Sequence, residues 1–182
     1  MALTATAVRV GVTGRVYFAP QGTAIPTATS GVLASGFNDV GYITDSGITV
    51  STATDTNDIR AWQNGDLLRT VQKSATFSVK FAMAETNEYS LLLFYNNYTH
   101  GAGVVDGSVT WNGAQPYRGA FVLDVIDGTN LIRITMPDAQ VSDRSDVSIV
   151  NGDAFVYEVS IRGYPDTAGN AGYMYIASAA AS

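Results

Sequence analysis

The sequence predicts a mostly β protein, about eight strands forming a β-sandwich or barrel with one flanking α-helix, and three observations carry that prediction. Apolar residues alternate with polar ones over several short stretches, as half-buried strands require. Turn dipeptides such as Asp127-Gly128 and Asn151-Gly152 punctuate those stretches. Only the segment 86–95 carries helix signals.

Taken in order, residues 15–19 form a short strand closed by Pro20, and 21–36 is a loop of Thr, Ala, Gly and Pro. Segments 37–43 and 48–51 read as extended. Residues 52–65 are polar and lack a clear period, so they read as a long excursion; a loop of that length inside a compact domain is functional or disordered. The clearest strand is 67–83, with Phe77, Val79 and Phe81 on one face and Thr76, Ser78 and Lys80 on the other. In the helix 86–95, Thr86 can cap, Glu88 suits the first turn, and Asn96-Asn97 with Gly101 ends it. Leu91 to Tyr95 are consecutive apolar residues, so this helix should be covered on most sides.

Further strands are expected over 104–111, 117–126, 129–136 and 155–162. The second and third are joined across Asp127-Gly128, both of which are expected at positive φ in a two-residue turn. No internal repeat and no linker divides the chain, so 1–182 reads as one domain, with mobile ends over 1–8 and 177–182.

Composition narrows the function. The chain has 182 residues, of which 46% are hydrophobic and 14% charged, against roughly 25% charged in ordinary soluble domains. Interface cores are depleted of charge, so a surface covered by copies of the same chain accounts for this, as does a Ser/Thr-rich exterior. A formal charge of −6 disfavours binding nucleic acid through its phosphates. There is no cysteine, hence no disulfide and no thiolate chemistry. No apolar run reaches the ~18 residues of a membrane span, and the N-terminus lacks signal-peptide organisation.

Residues that could support catalysis are sparse, and the chain reads as no enzyme, with no catalytic, cofactor-binding or metal-ligating set. His100 is the single histidine, without a nucleophile elbow to serve. Gly101-Ala102-Gly103 begins like a dinucleotide loop, but Asp106 stands where the third glycine belongs. Glu85 with Glu88 and Asp55 with Asp58 read as solvated pairs, and Asp143, Asp146 and Asp153 lack calcium-loop spacing.

The run from Asp39 to Thr49, DVGYITDSGIT, followed by Asp58-Ile59-Arg60-Ala61-Trp62-Gln63 and Arg69-Thr70-Val71, resembles the major tail tube protein of long, noncontractile-tailed bacteriophages. Thr86-Asn87-Glu88 and the ITMPDAQ run from Ile134 to Gln140 fit the same family, so the resemblance spans about 15–164. It implies a structural virion protein, assembled in the host bacterial cytoplasm into stacked six-membered rings that form a tube for DNA delivery. Implied partners are further copies, the tape measure, tail-tip and terminator proteins, and DNA in transit without specific binding; no cofactor and no membrane insertion are implied. The family's loop between two inner strands reaches the next ring. Here that loop corresponds to 44–66, with Asp55, Asp58, Ile59, Arg60, Trp62 and Gln63 as the ring-stacking residues and Ile59 and Trp62 as anchors. Candidate channel-facing charges are Asp39, Asp55 and Asp58, on a segment whose five aspartates face Arg60 alone. Alternative readings are a secretion-system tube protein, a tail terminator, or a monomeric ligand-binding β-barrel.

Overall fold

The computed structural model describes residues 8–100 and 107–177. Among them the order is β1 (Thr13–Pro20), β2 (Asn38–Asp39), β3 (Ile43–Arg60), β4 (Leu67–Met83), α1 (Glu88–Tyr95), β5 (Tyr98–His100), β6 (Gly107–Val109), β7 (Arg118–Asp127), β8 (Asn130–Arg144), β9 (Tyr157–Gly163) and β10 (Tyr173–Ile176). Eight strands make one antiparallel sheet in the order β2-β1-β7-β8-β9-β4-β3, with β10 also on β8, while β5 and β6 form a small ribbon. The mostly β prediction with one helix holds. The expected ends 1–8 and 177–182 lie outside the described residues apart from Val8 and Ala177, as do 104–106 of the expected strand 104–111; what is described of that strand is the short β6.

Strand β8 shapes the sheet. One of its edges pairs with β7, while the other is shared by β10, opposite residues 132–135, and β9, opposite 139–144. Between those halves the register against β7 slips by one residue at Pro137-Asp138. Proline cannot donate to the ladder and an extra residue bends a strand, so this dipeptide redirects β8 rather than ending it. For that reason the strand runs well past the expected end at Met136. Strands from both ends of the sheet order then share one core: Phe18 of β1, Phe121 of β7, Met136 of β8, Ile161 of β9 and Phe81 of β4 all belong to it. Each such side chain contributes about 1.5–3 kcal/mol on burial.

The β7–β8 turn is one residue later than expected. Asp127 pairs with Asn130, and the central residues are Gly128 and Thr129. Gly128 has φ +59° whereas Thr129 is not among the residues of positive φ. This fits the two-residue turn that needs positive φ only at its first central position.

Helix α1 is capped by Asn87, not Thr86. Asn87 Oδ1 accepts from Ser90 N at 2.8 Å and Ser90 Oγ accepts from Asn87 N at 3.0 Å, a reciprocal capping box with serine in place of the usual Glu or Gln. Glu85 supports the cap: its Oε2 accepts from Asn87 Nδ2 at 2.9 Å, and Oε1 accepts from Tyr42 N at 2.8 Å. Asn96 ends the helix in the left-handed region at φ +54°. Leu93 and Phe94 are buried, but Leu91, Leu92 and Tyr95 are only half-buried, so the cover is less complete than the apolar run predicts.

On the face of β7 and β8 away from the core, Asp124 and Arg133 stand opposite each other and are 8% and 6% exposed. Arg133 Nε and Nη2 donate to the two Asp124 oxygens at 2.7 and 2.8 Å, and Nη1 donates to the Ala28 and Gly31 carbonyls. The loop predicted over 21–36 is thus pinned to the sheet by a buried guanidinium. Hydrogen bonding to Asp124 holds Arg133 above its ordinary pKa, against the opposing effect of burial.

Candidate assembly interface

The segment 44–66, expected to be a loop, is instead the outgoing half of a long β-hairpin. Strands β3 and β4 pair from Ile43 opposite Met83 to Arg60 opposite Leu67. Every residue from Thr49 to Ala75 is exposed except the half-buried Ala61, so the hairpin leaves the body of the protein as an arm. At about 3.3 Å per residue, the exposed part of β3 extends roughly 40 Å. Alternating threonines explain both the conformation and the missing apolar signal: Thr52, Thr54 and Thr56 favour extended backbone without offering a hydrophobic face.

The sequence signal that identifies the hairpin is Asn64-Gly65. Both residues sit in the left-handed region, at φ +61° and +70°. Ala61 N donates to Asp66 O at 2.8 Å, and Arg60 Nη1 donates to Gly65 O at 3.3 Å, closing the tip. Asparagine and glycine take this conformation most readily, which is why they lie at this bend.

Two irregularities break the arm's register. Between the Asp55–Ser74 and Thr56–Gln72 pairs Lys73 is extra, and between the Ile59–Arg69 and Arg60–Leu67 pairs Leu68 is extra. Both extra residues lie on β4, so the side chains of β3 alternate without interruption from Asp55 to Arg60. Asp58, Arg60 and Thr70 share one face: Thr70 Oγ1 donates to Asp58 Oδ1 at 2.8 Å, and Arg60 Nη2 lies 3.5 Å from Asp58 Oδ2. Asp55 and Ile59 lie on the other.

The predicted site residues therefore divide as follows. Asp55, Asp58, Ile59 and Arg60 are on β3 of the arm, while Trp62 and Gln63 are in its tip. Trp62 is 98% exposed and Ile59 45%, so neither folds back into the core of its own subunit. Asp39 is not on the arm; it is in β2, paired with Arg15 at 3.2 Å, and its Oδ1 accepts from Gly41 N. Sequence reasoning missed the contribution of β4. Leu67 and Leu68 enlarge the apolar tip, and Arg69 and Lys73 offset the aspartates of β3, so the arm is not the one-sided acidic element that segment 39–66 suggests.

Physically, the arm is incomplete. A two-stranded hairpin alone is at best marginally stable in water. Strand β3 is terminal in the sheet, and β4 pairs with β9 only from Ser78 onward, so among the described residues both edges of the arm carry unused backbone donors and acceptors.

Among the described residues no three His, Asp or Glu side chains are grouped to hold a metal ion, and no helix is long and apolar enough to cross a membrane. His100 Nδ1 lies 3.7 Å from Glu88 Oε2 with both side chains exposed.

Among solved structures, the chain is similar to one in the extended sheath-tube complex of PVC, an extracellular contractile injection system. The TM-score is 0.51 and the identity 11%, with 97% of this chain and 100% of that chain covered. This likeness shows the fold alone. A chain of the anti-feeding prophage cap, which terminates the AFP tube, matches with TM-score 0.49 and 10% identity over 97% of this chain and 100% of that one. The search of curated proteins found no match. A family model described as phage tail tube protein matches residues 1–181, and the chain therefore belongs to the phage tail tube protein family.

Proposed function

We propose that the chain is the repeating subunit of a tail tube, assembling with its own copies into six-membered rings that stack around a channel for DNA, and that the arm β3–β4 is the element that reaches a neighbouring copy. The observation that carries this reading is the arm itself, with two unpaired edges and an exposed apolar tip that one subunit cannot bury. Ile59, Arg60, Trp62 and Gln63 form the contact at the tip, with Asp55 and Asp58 along the strand behind them. Because Asp55 and Asp58 fall on opposite faces, a channel lined by one face of the arm takes charge from only one of them. Assembly occurs in the host cytoplasm, and the tape measure, tail-tip and terminator proteins are the other partners. Sedimentation velocity over a wide concentration range, followed by negative-stain electron microscopy, tests the reading. Rings or tubes are expected. A species that stays monomeric throughout, alone and with tail-tip components added to nucleate it, overturns it.

A further inference from the structure

A groove of about 740 Å³ opens where β1 approaches the start of β3. One wall is residues 11–15, at the beginning of β1. Strand β2 covers the outer edge of β1 opposite Tyr17 and Phe18, and Val40 N donates to Val16 O, but among the described residues no strand pairs with that edge before Val16. The opposite wall is 41–48, where β3 bulges between Ile43 and Ile48, with Gly47 at φ +67° and a hydrogen bond between Thr44 Oγ1 and Ser46 Oγ within the bulge. The groove is acidic: Asp39, Asp45 and Glu85 line it against Arg15. Arg15 is engaged by Asp39, and Glu85 by Tyr42 N and Asn87, which leaves Asp45 without a cationic partner among the described residues.

An open strand edge in a groove calls for an extended segment with an unused edge of its own, and net negative charge calls for a basic one. The β4 side of the arm meets both requirements. From Leu67 to Thr76 it carries Arg69 and Lys73 and no acidic residue, neither basic side chain makes an ion pair among the described residues, and its outer edge is free until Ser78. The β3 side meets only one, since it carries Asp55 and Asp58. Nor can the arm serve its own groove. Residues 67–72 lie opposite 56–60, roughly 25–40 Å along the strand from Ile48 at about 3.3 Å per residue.

We propose that this groove is the receptor for a second copy of the chain, whose arm residues 67–73 add as a strand to the open edge of β1, with Arg69 and Lys73 toward Asp45 and Glu85. The proposal rests on the self-assembly reading and names the surface that the arm meets. Leu67 and Leu68 then leave solvent against Ile43 and Ile48, which line the groove.

The test is a charge swap on the full chain. Asp45→Lys and Arg69→Glu each place like charges together and are expected to raise the concentration needed for assembly by about tenfold or more, the scale of one lost close ion pair. The double variant restores the pair in reverse and is expected to assemble near the wild-type concentration. The chain has no cysteine, so Ser46→Cys with Gln72→Cys gives a second readout, disulfide-linked oligomers under mild oxidation. Single variants that assemble like wild type, or a double variant no better than its parents, overturn the receptor while leaving the tube reading intact. A wild-type chain that remains monomeric in the same runs removes both.

Discussion

Trp62→Ala separates the two roles that a tryptophan at this position could have. At 98% exposure the side chain makes almost no contact within its own subunit, so truncating it should change the subunit's unfolding free energy by less than about 0.5 kcal/mol, the usual range for surface substitutions. Assembly should respond very differently. A tryptophan buries about 150–250 Å² when covered, which at about 25 cal/mol/Å² is worth roughly 4–6 kcal/mol if nearly all of its surface enters an interface. Ordering the tip costs about 1–2 kcal/mol per residue fixed, so loss of this single anchor can remove most of the margin that drives docking. The paired assays are urea unfolding of the dispersed subunit, followed by circular dichroism, and the critical concentration for assembly. Unchanged unfolding with assembly shifted more than tenfold is the expected result. A variant destabilised by more than 1 kcal/mol as a monomer would mean that Trp62 packs against its own subunit after all. One that assembles at the wild-type concentration would mean that the tip faces solvent in the tube.

Two further outcomes follow from the body of the fold. Arg133→Met strands Asp124 at a nearly dry site and releases the loop it holds at Ala28 and Gly31; it should cost about 3–5 kcal/mol in urea unfolding, and pairing it with Asp124→Leu should recover most of that loss. The Arg118 guanidinium holds the Asp138 carboxyl below its ordinary range, Ser145 and then Lys80 do the same for Glu158, and Tyr173 does so for Asp166. A depressed folded-state pKa contributes stability above the unfolded value, near 4, and loses it as pH falls through the folded value. Thermal midpoints should therefore drop below about pH 4, and less steeply in Asp138→Asn; an equally steep drop in that variant would mean that Asp138 does not contribute.

How much of this could be read from the sequence depends on where burial leaves a pattern. Strand β4 emerges at its true bounds because Phe77, Val79 and Phe81 alternate into the core at its inner end. Strand β3 does not, because an element exposed on both faces has no reason to alternate, and Thr, Asp and Asn then read as loop. The segment 44–66 stood out by its length and by the family resemblance, with Ile59 and Trp62 as expected anchors, but its conformation was legible only through Asn64-Gly65. The far half of β8 was hidden by Pro137, which reads as a terminator and acts as a bend. Strand β10 passed without notice: its Met174 and Ile176 are exposed while Tyr173 and Tyr175 stack on each other, so its pattern resembles no core strand. The cap moved from Thr86 to Asn87 because the deciding interaction is the bond from Ser90, a residue that sequence rules for capping boxes do not expect at that place.

A free arm with unpaired edges should aggregate, since any exposed strand edge can template another. The details of β4 address that problem. Lys73 and Leu68, the two extra residues, interrupt the regular ladder, and bulges increase local twist, so a second arm cannot pair along the whole length of the first in one register. Alternating threonines leave little apolar surface behind the tip, which removes the dry side-chain interface that stacked sheets need. Charge is distributed to the same effect: identical arms meeting β4 edge to β4 edge would bring Arg69 and Lys73 against their own copies, while the acidic groove offers them carboxylates. The low overall charge noted in the composition is thus compatible with selective assembly, because a few placed charges, Arg69 and Lys73 on the arm and Asp39, Asp45 and Glu85 at the groove, suffice to distinguish the groove from another arm.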